Sequence, residues 1–225
     1  LGKMNEIVII SDKEVWQGPI GDSLDYYFGG PYPITPRPEP IFDLRHFTVE
    51  ELVAQPLRKQ LRTYLILANL SDDRSKTTEL VKNDLKEDGV KKALSDNTFQ
   101  TSVGKNKWAT GQVLIYSFAN GHDELASSIG QNFSSISTRI RQHDHAQLSN
   151  STYTRGSNKG LSIKVGERLG GQIDIPMQFK VVMEDEESDV IWMRYEVKGG
   201  SLSLVFKAMD YVSDDQLAKE YMKSI

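Results

Sequence analysis

A short stretch near the amino terminus combines residue types that could carry hydrolytic chemistry. Gly21-Asp22-Ser23-Leu24 follows the apolar run Glu6–Ile10, whose pattern predicts a buried strand. A serine hydrolase needs a nucleophilic hydroxyl, a histidine base and hydrogen-bond donors for the oxyanion. Ser23 would supply the hydroxyl, and a histidine follows in Asp43-Leu44-Arg45-His46. The stretch therefore makes Ser23 the candidate nucleophile of an esterase.

The same stretch resembles the first block of the Gly-Asp-Ser-Leu esterase family, and Asp43-Leu44-Arg45-His46 resembles the block that closes that family's active site. Two features depart from the family pattern. Residues 11–20 separate the strand from the serine, and the Asp-x-x-His follows the serine closely instead of lying near the carboxyl terminus. The alternative is that Asp22 and Ser23 begin a helix, where the helix dipole favours the aspartate. We therefore expect no catalytic residue and keep the esterase as an alternative.

Histidines and acidic residues form a second set of candidates, for a metal site. In His143-Asp144-His145 the two imidazoles would point about 200° apart on a helix, so both cannot bind one ion. The acidic stretch Glu184–Asp189 lacks the alternating ligands and the glycine of a calcium loop. We expect no metal and no cofactor, and we interpret His143 as a partly buried, hydrogen-bonded residue.

Composition excludes several classes of protein. The 225 residues contain no cysteine, which excludes disulfides and a thiolate nucleophile. The net charge is −4 and no basic stripe is visible, so nucleic acid is not expected as a partner. No apolar run reaches the ~20 residues of a membrane span. Hydrophobic residues make up 38%, which is typical of a globular chain.

Strand and helix patterns alternate in both halves of the chain. They predict an α+β fold, with helices on one face of a mixed, mainly antiparallel sheet and strand–helix–strand units in both halves. We expect a single domain over residues 1–225, or two subdomains (1–119 and 120–225) that share one sheet. Residues 29–40 carry five of the eight prolines and should form an extended connection.

Tryptophans supply the candidate contact surface. Trp16 and Trp108 lie beside turns rich in Gly, Pro or Lys, and Trp192 lies in an alternating strand that should place it in the core. Together with Asp22 and the Pro-rich segment, Trp16 and Trp108 form the predicted surface. Ordinary packing is the alternative for both rings. The surface requires the first strand and the Trp108 turn to be close together.

Several further motifs occur in one order along most of the chain. They resemble a family of uncharacterised lipoproteins from Bacteroidetes, classed as a domain of unknown function. In that family a signal peptide and a lipid-bearing cysteine precede the Gly-Lys start, and the family continues beyond the point where this sequence ends. The matching segments are Gly2-Lys3 with Glu6–Ile10, Asp12, Trp16-x-Gly-Pro-x-Gly21-Asp22, Pro38-Glu39-Pro40-x-Phe42, 62–67, Lys107-Trp108-Ala109-x-x-Gln112, Ile175-Pro176 and Val190-Ile-Trp192-Met-Arg194.

The resemblance implies an exported protein, lipid-anchored in the cell envelope through a segment that precedes this sequence. Ser23 is not part of the family pattern. We expect a binding or assembly module rather than an enzyme, with an envelope protein as its partner. A carbohydrate-binding module is a further alternative, which exposed aromatic rings lying flat on one surface would favour. The sequence does not indicate an oligomeric state.

Overall fold

Two sheets organise the molecule. The computed structural model describes residues 2–32, 38–96 and 98–222. It divides into two compact units, Leu1–Gln147 and Leu148–Ile225. Residues 33–37, in the middle of the predicted Pro-rich connection, lie outside the described residues. On either side of them, Pro31 and Pro40 form an isolated antiparallel bridge.

The sheet of the first unit has five strands, in the order β2-β1-β3-β5-β4. Four of them run parallel, and β4 pairs with β5 in the antiparallel direction at one edge. The central strands are continuous apolar runs, as expected for strands covered on both faces. The bounds are β1 Glu6–Ile10, β2 Asp43–Phe47, β3 Thr63–Asn69, β4 Thr101–Lys105 and β5 Val113–Ala119.

Helices cover both faces of this sheet. On one face, alternate residues of β1, β3 and β5 pack against α1, α2 and α5. On the other face, the remaining residues of the same strands pack against α3 and α4. The bounds are α1 Lys13–Trp16, α2 Pro19–Phe28, α3 Val49–Ala54, α4 Lys76–Ser95, with a kink at Lys86, and α5 His122–Thr152; a 3-10 helix spans Pro56–Gln60.

The second unit is a three-stranded antiparallel meander with one main helix. Its core joins α6 to the inward side of β7, where Ile191 and Met193 are buried. Trp192 therefore lies on the opposite face, because successive side chains of a strand alternate. The bounds are α6 Lys159–Leu169, β6 Lys180–Asp185, β7 Val190–Val197, β8 Gly200–Lys207 and α7 Lys219–Met222, and a 3-10 helix spans Asp214–Leu217.

The predicted α+β class is confirmed, but its arrangement needs correction. The larger sheet is mainly parallel and has helices on both faces, because β1, β3 and β5 are buried at every position except Asn69 rather than at alternate ones. Each unit also has its own sheet. The division falls inside α5, after Gln147, rather than at 119/120. The first unit extends into α5 because Leu125, Ile129, Ile136 and Ile140 of this helix complete its core.

Candidate functional site

Ser23 is not positioned for nucleophilic attack. It lies inside α2, and its Oγ donates a hydrogen bond to the Pro19 carbonyl oxygen at 2.9 Å, one turn earlier. The His46 ring is hydrogen-bonded to Ser11 rather than to Ser23. The alternative of a serine esterase therefore receives no support from the geometry around Ser23.

Trp16, Asp22 and Trp108 are not brought together. Trp16 packs on the α1/α2/α5 face of the sheet, and Trp108 packs on the α3/α4 face. They also lie at opposite ends of the parallel strands. Trp16 follows the carboxyl end of β1, whereas Trp108 precedes the amino end of β5. Asp22 is exposed on α2. The three residues do not form one surface.

The turn that holds Trp108 is fixed by Gln112. The Gln112 side chain accepts hydrogen bonds from the backbone N–H groups of Trp108 and Ala109, at 3.1 and 2.9 Å. Its amide nitrogen donates to the carbonyl oxygens of Lys59 and Leu61, at 2.7 and 2.6 Å. All four hydrogen bonds of this buried amide are made, so the motif Lys107–Gln112 has a structural role.

The other candidates also occupy structural positions. His143 Nε2 lies 3.1 Å from the Gly111 carbonyl oxygen, to which it donates, and the side chain is 15% exposed. Glu184 and Asp189 are bound by the Arg168 guanidinium. Tyr26 and Tyr27 are exposed, but their rings are perpendicular and make no flat platform for a sugar.

A different site lies at the carboxyl edge of the first sheet. The chain goes from β1 outward to β2 and then returns to place β3 on the other side of β1. In open parallel sheets, the loops leave in opposite directions at such a point and open a crevice in which ligands bind. Residues that follow β1 and β3 line such a crevice here.

Asp12 is the central group of this crevice. It follows β1, and Thr77 Oγ1 donates to its Oδ1 at 3.1 Å while Ser75 Oγ donates to its Oδ2. Ser75 also caps α4, since its Oγ accepts from Thr78 N at 2.9 Å. Ser75 and Thr77 are buried, so they hold the carboxylate in one orientation. The amino end of α4 stabilises the negative charge.

His46 forms the second fixed group at this edge. Its ring stacks on Trp16 with a centroid distance of 4.9 Å and an angle of 2° between planes. Its Nε2 lies 3.1 Å from both the carbonyl oxygen and the Oγ of Ser11. A carbonyl oxygen only accepts, so Nε2 carries the hydrogen. Burial lowers the pKa of His46 below its usual 6.5, although the Ser11 carbonyl and the charges of Glu51 and Asp12 oppose this.

The crevice around Asp12 has a volume of about 430 Å³ and carries charges of both signs. A smaller cavity of about 130 Å³ shares Glu14, Val15 and His122 with it and extends toward Pro19. Among the described residues, no group of three His, Asp or Glu side chains is arranged to hold a metal ion. The arrangement instead suits hydrogen bonding and ion pairing to a small polar molecule. The lining residues are Asp12, Glu14, Val15, Glu50, Asp72, Arg74, Ser75, Lys76 and His122.

Little in the sequence indicates this site. Asp12 stands out only as part of a family motif, and its partners Ser75 and Thr77 lie more than sixty positions away. The available signal is that a polar Ser-Asp pair directly follows a fully apolar strand. That signal becomes informative only when the strand order is known.

In the part of the chain that the structure describes, no helix is both long and apolar enough to cross a bilayer. Comparison with curated proteins and with solved structures finds no match. One family model, Domain of unknown function (DUF8532), matches residues 1–153, which comprise the whole first unit and the end of α5. The match covers more than half of the chain, and the protein therefore belongs to the DUF8532 family.

Proposed function

We propose that this protein is a binding module and that the crevice around Asp12 takes a small polar ligand with a cationic group. The observation that carries the proposal is the Asp12 carboxylate, which two buried hydroxyls fix at the point where the strand order reverses. Each Asp12 oxygen accepts one of these hydrogen bonds and keeps a lone pair for a ligand. An ammonium group would complete the site.

Neighbouring charges support this ligand class. Glu14, Glu50 and Asp72 line the crevice with Asp12, so four carboxylates border the volume that an ammonium would enter. Arg74 and Lys76 also line the crevice and could receive an anionic part of the same molecule. The proposal therefore favours zwitterionic or polyamine compounds over purely anionic ones.

The test is a thermal-shift and ligand-observed NMR screen with amino acids, polyamines and amino sugars. We expect at least one amine-bearing compound to raise the melting temperature of the wild-type protein. Asp12→Asn should abolish the shift, and because an amide can still pair with two hydroxyls, this variant should remain folded, which circular dichroism checks. The matched control is Asp22→Asn, the same change at an exposed position outside the crevice. Binding that survives Asp12→Asn, or no binding at all, would contradict the proposal.

We also propose that the module is an exported lipoprotein of the cell envelope, as the resemblance to lipoproteins of Bacteroidetes implies. A lipid on a preceding cysteine would hold it outside the cytoplasm, with an envelope protein as its partner. Metabolic labelling of the full-length gene product with an alkyne fatty acid, followed by fractionation, tests the anchor. Crosslinking in the native envelope tests the partner. Unlabelled protein in the cytoplasmic fraction would contradict this assignment.

A further inference from the structure

In the part of the chain that the structure describes, the sheet of the second unit has an edge with no strand beside it. β8 forms a ladder with β7 on one side and is the outermost strand on the other. Edge strands are templates for pairing with another chain, and proteins usually protect them with bulges, prolines or inward charges. The opposite edge, β6, has a bulge between Val181 and Met183 and ends in Glu184-Asp185. β8 contains no proline, and its charged residue is the terminal Lys207.

An uncovered apolar stripe runs along the helix-facing side of β8. Leu202, Leu204 and Phe206 lie opposite Tyr195, Met193 and Ile191 of β7, so they point to the face that carries α6. Phe206 reaches the core, but Leu202 and Leu204 remain 53% and 39% exposed. The core of this unit thus stops before the edge of its own sheet.

We propose that β8 pairs with β8 of a second copy of this chain, antiparallel and centred on Leu204. In this register Leu204 faces the partner's Leu204, and Leu202 faces the partner's Phe206. Ser203 faces the partner's Val205 on the other side of the sheet. Every apolar residue of the stripe then has an apolar neighbour, and Lys207 faces the partner's Ser201, so no like charges meet.

The symmetry of this pairing also covers the stripe. The two-fold axis is perpendicular to the sheet, so both copies of α6 lie on the same face of a six-stranded sheet. The stripes of Leu202, Leu204 and Phe206 then lie side by side between the two helices, where a single copy leaves Leu202 and Leu204 exposed. Moving the axis by one residue, to Ser203, would still place Leu202 opposite the partner's Leu204, but Phe206 would face the partner's Gly200 and lose its apolar neighbour.

The first test is the mass of the whole chain in solution, measured by light scattering across a range of concentrations. We expect the wild type to reach twice the mass of one chain. Leu204→Lys and Leu204→Glu should each be monomeric, because like charges would meet on the axis. A mixture of the two variants should restore the dimer, since Lys then faces Glu. The matched control is Val205→Lys on the other face, which should still dimerise because it faces the partner's Ser203.

The register has its own test, because the chain contains no cysteine. Leu204→Cys should form an intermolecular disulfide under mild oxidation, since directly opposed Cα atoms lie about 4.5–5.5 Å apart. Leu202→Cys should not crosslink, because its two copies would be roughly 13 Å apart along the strands. A monomeric wild type overturns the proposal, and so does a dimer that Leu204→Lys leaves intact.

Discussion

His46 shows how one packed side chain connects stability to pH. Its ring is held between Trp16 and the Ser11 backbone, and burial lowers its pKa below 6.5. The unfolded chain therefore binds more protons than the folded protein in the interval just below pH 6.5, and stability falls as pH falls through it. We expect a lower free energy of unfolding at pH 5.5 than at pH 7.5, measured by urea denaturation.

The matched variants for this prediction are His46→Gln and His145→Gln. Removing His46 should flatten the dependence on pH between those two values, even if the variant is less stable overall. His145 is exposed on α5, so its replacement should leave the slope as it is. An unchanged slope in His46→Gln would assign the pH dependence to other groups.

At the scale of elements, the motif Trp16-x-Gly-Pro-x-Gly21 allows two helices to meet. A Cβ on Gly21 would lie 1.8 Å from the Trp16 carbonyl oxygen, so α2 can approach α1 only with glycine at this position. Pro19 begins α2, where its missing N–H has no cost. We expect Gly21→Ala to destabilise the protein by about 3 kcal/mol. Chemical denaturation measures the loss.

Gly121→Ala is the control for this prediction. Gly121 belongs to the same unit, and a Cβ built there meets nothing within 4 Å. It lies just before α5, so its replacement should change stability by no more than about 1 kcal/mol. Equal effects of the two substitutions would argue against the close approach of α1 and α2 as the reason for glycine at position 21.

Arg168 anchors the turn between β6 and β7 to the last turn of α6. Its guanidinium contacts Glu184 at 3.0 Å and Asp189 at 3.3 Å, and it donates to the Asp185 carbonyl oxygen at 2.7 Å. Arg168 is only 14% exposed. We expect Arg168→Ala to destabilise the second unit by about 1–3 kcal/mol, measured by hydrogen exchange of the β6–β7 amides.

Lys164→Ala is the control that distinguishes the effect of the Arg168 contacts from a general effect of surface charge. Lys164 binds the same Glu184 but is 53% exposed, so its loss should cost less than about 1 kcal/mol. A loss as large as that of Arg168→Ala would show that total charge, rather than the partly buried guanidinium, holds the turn.

Local patterns account for much of this architecture and for little of the site. Runs such as Arg62–Leu70 predict strands because their signal is contained in consecutive residues. The direction of the strands, and hence the parallel sheet, depends on pairings between distant segments. The alternation in Val190–Val197 predicts Trp192 in the core, but alternation alone does not say which of the two faces is inward, and Ile191 and Met193 take the inward positions. The Asp12 site depends on the order of β1 and β3, which no local pattern contains.

At the scale of the whole molecule, the first unit has its own sheet and its own cores. Its two cores, on either side of the five-stranded sheet, draw their residues from positions 7–140. The DUF8532 match covers residues 1–153 and so includes all of α5. We therefore predict that a fragment of residues 1–153 folds cooperatively by itself and keeps the Asp12 crevice. Dispersed amide resonances and a single urea transition would show this.

The boundary of the fragment decides the outcome. A fragment that ends at residue 119 keeps all five strands but lacks α5, and with it Leu125, Ile129, Ile136 and Ile140. One face of the sheet would then expose Ile7, Ile9 and Ile115, so this fragment should be unfolded or aggregated. If residues 1–119 fold as well as residues 1–153, the helix is not needed to complete the first core. If neither fragment folds, the first unit requires residues 154–225 in order to fold. Its own sheet and core would then not be sufficient for folding without the second unit.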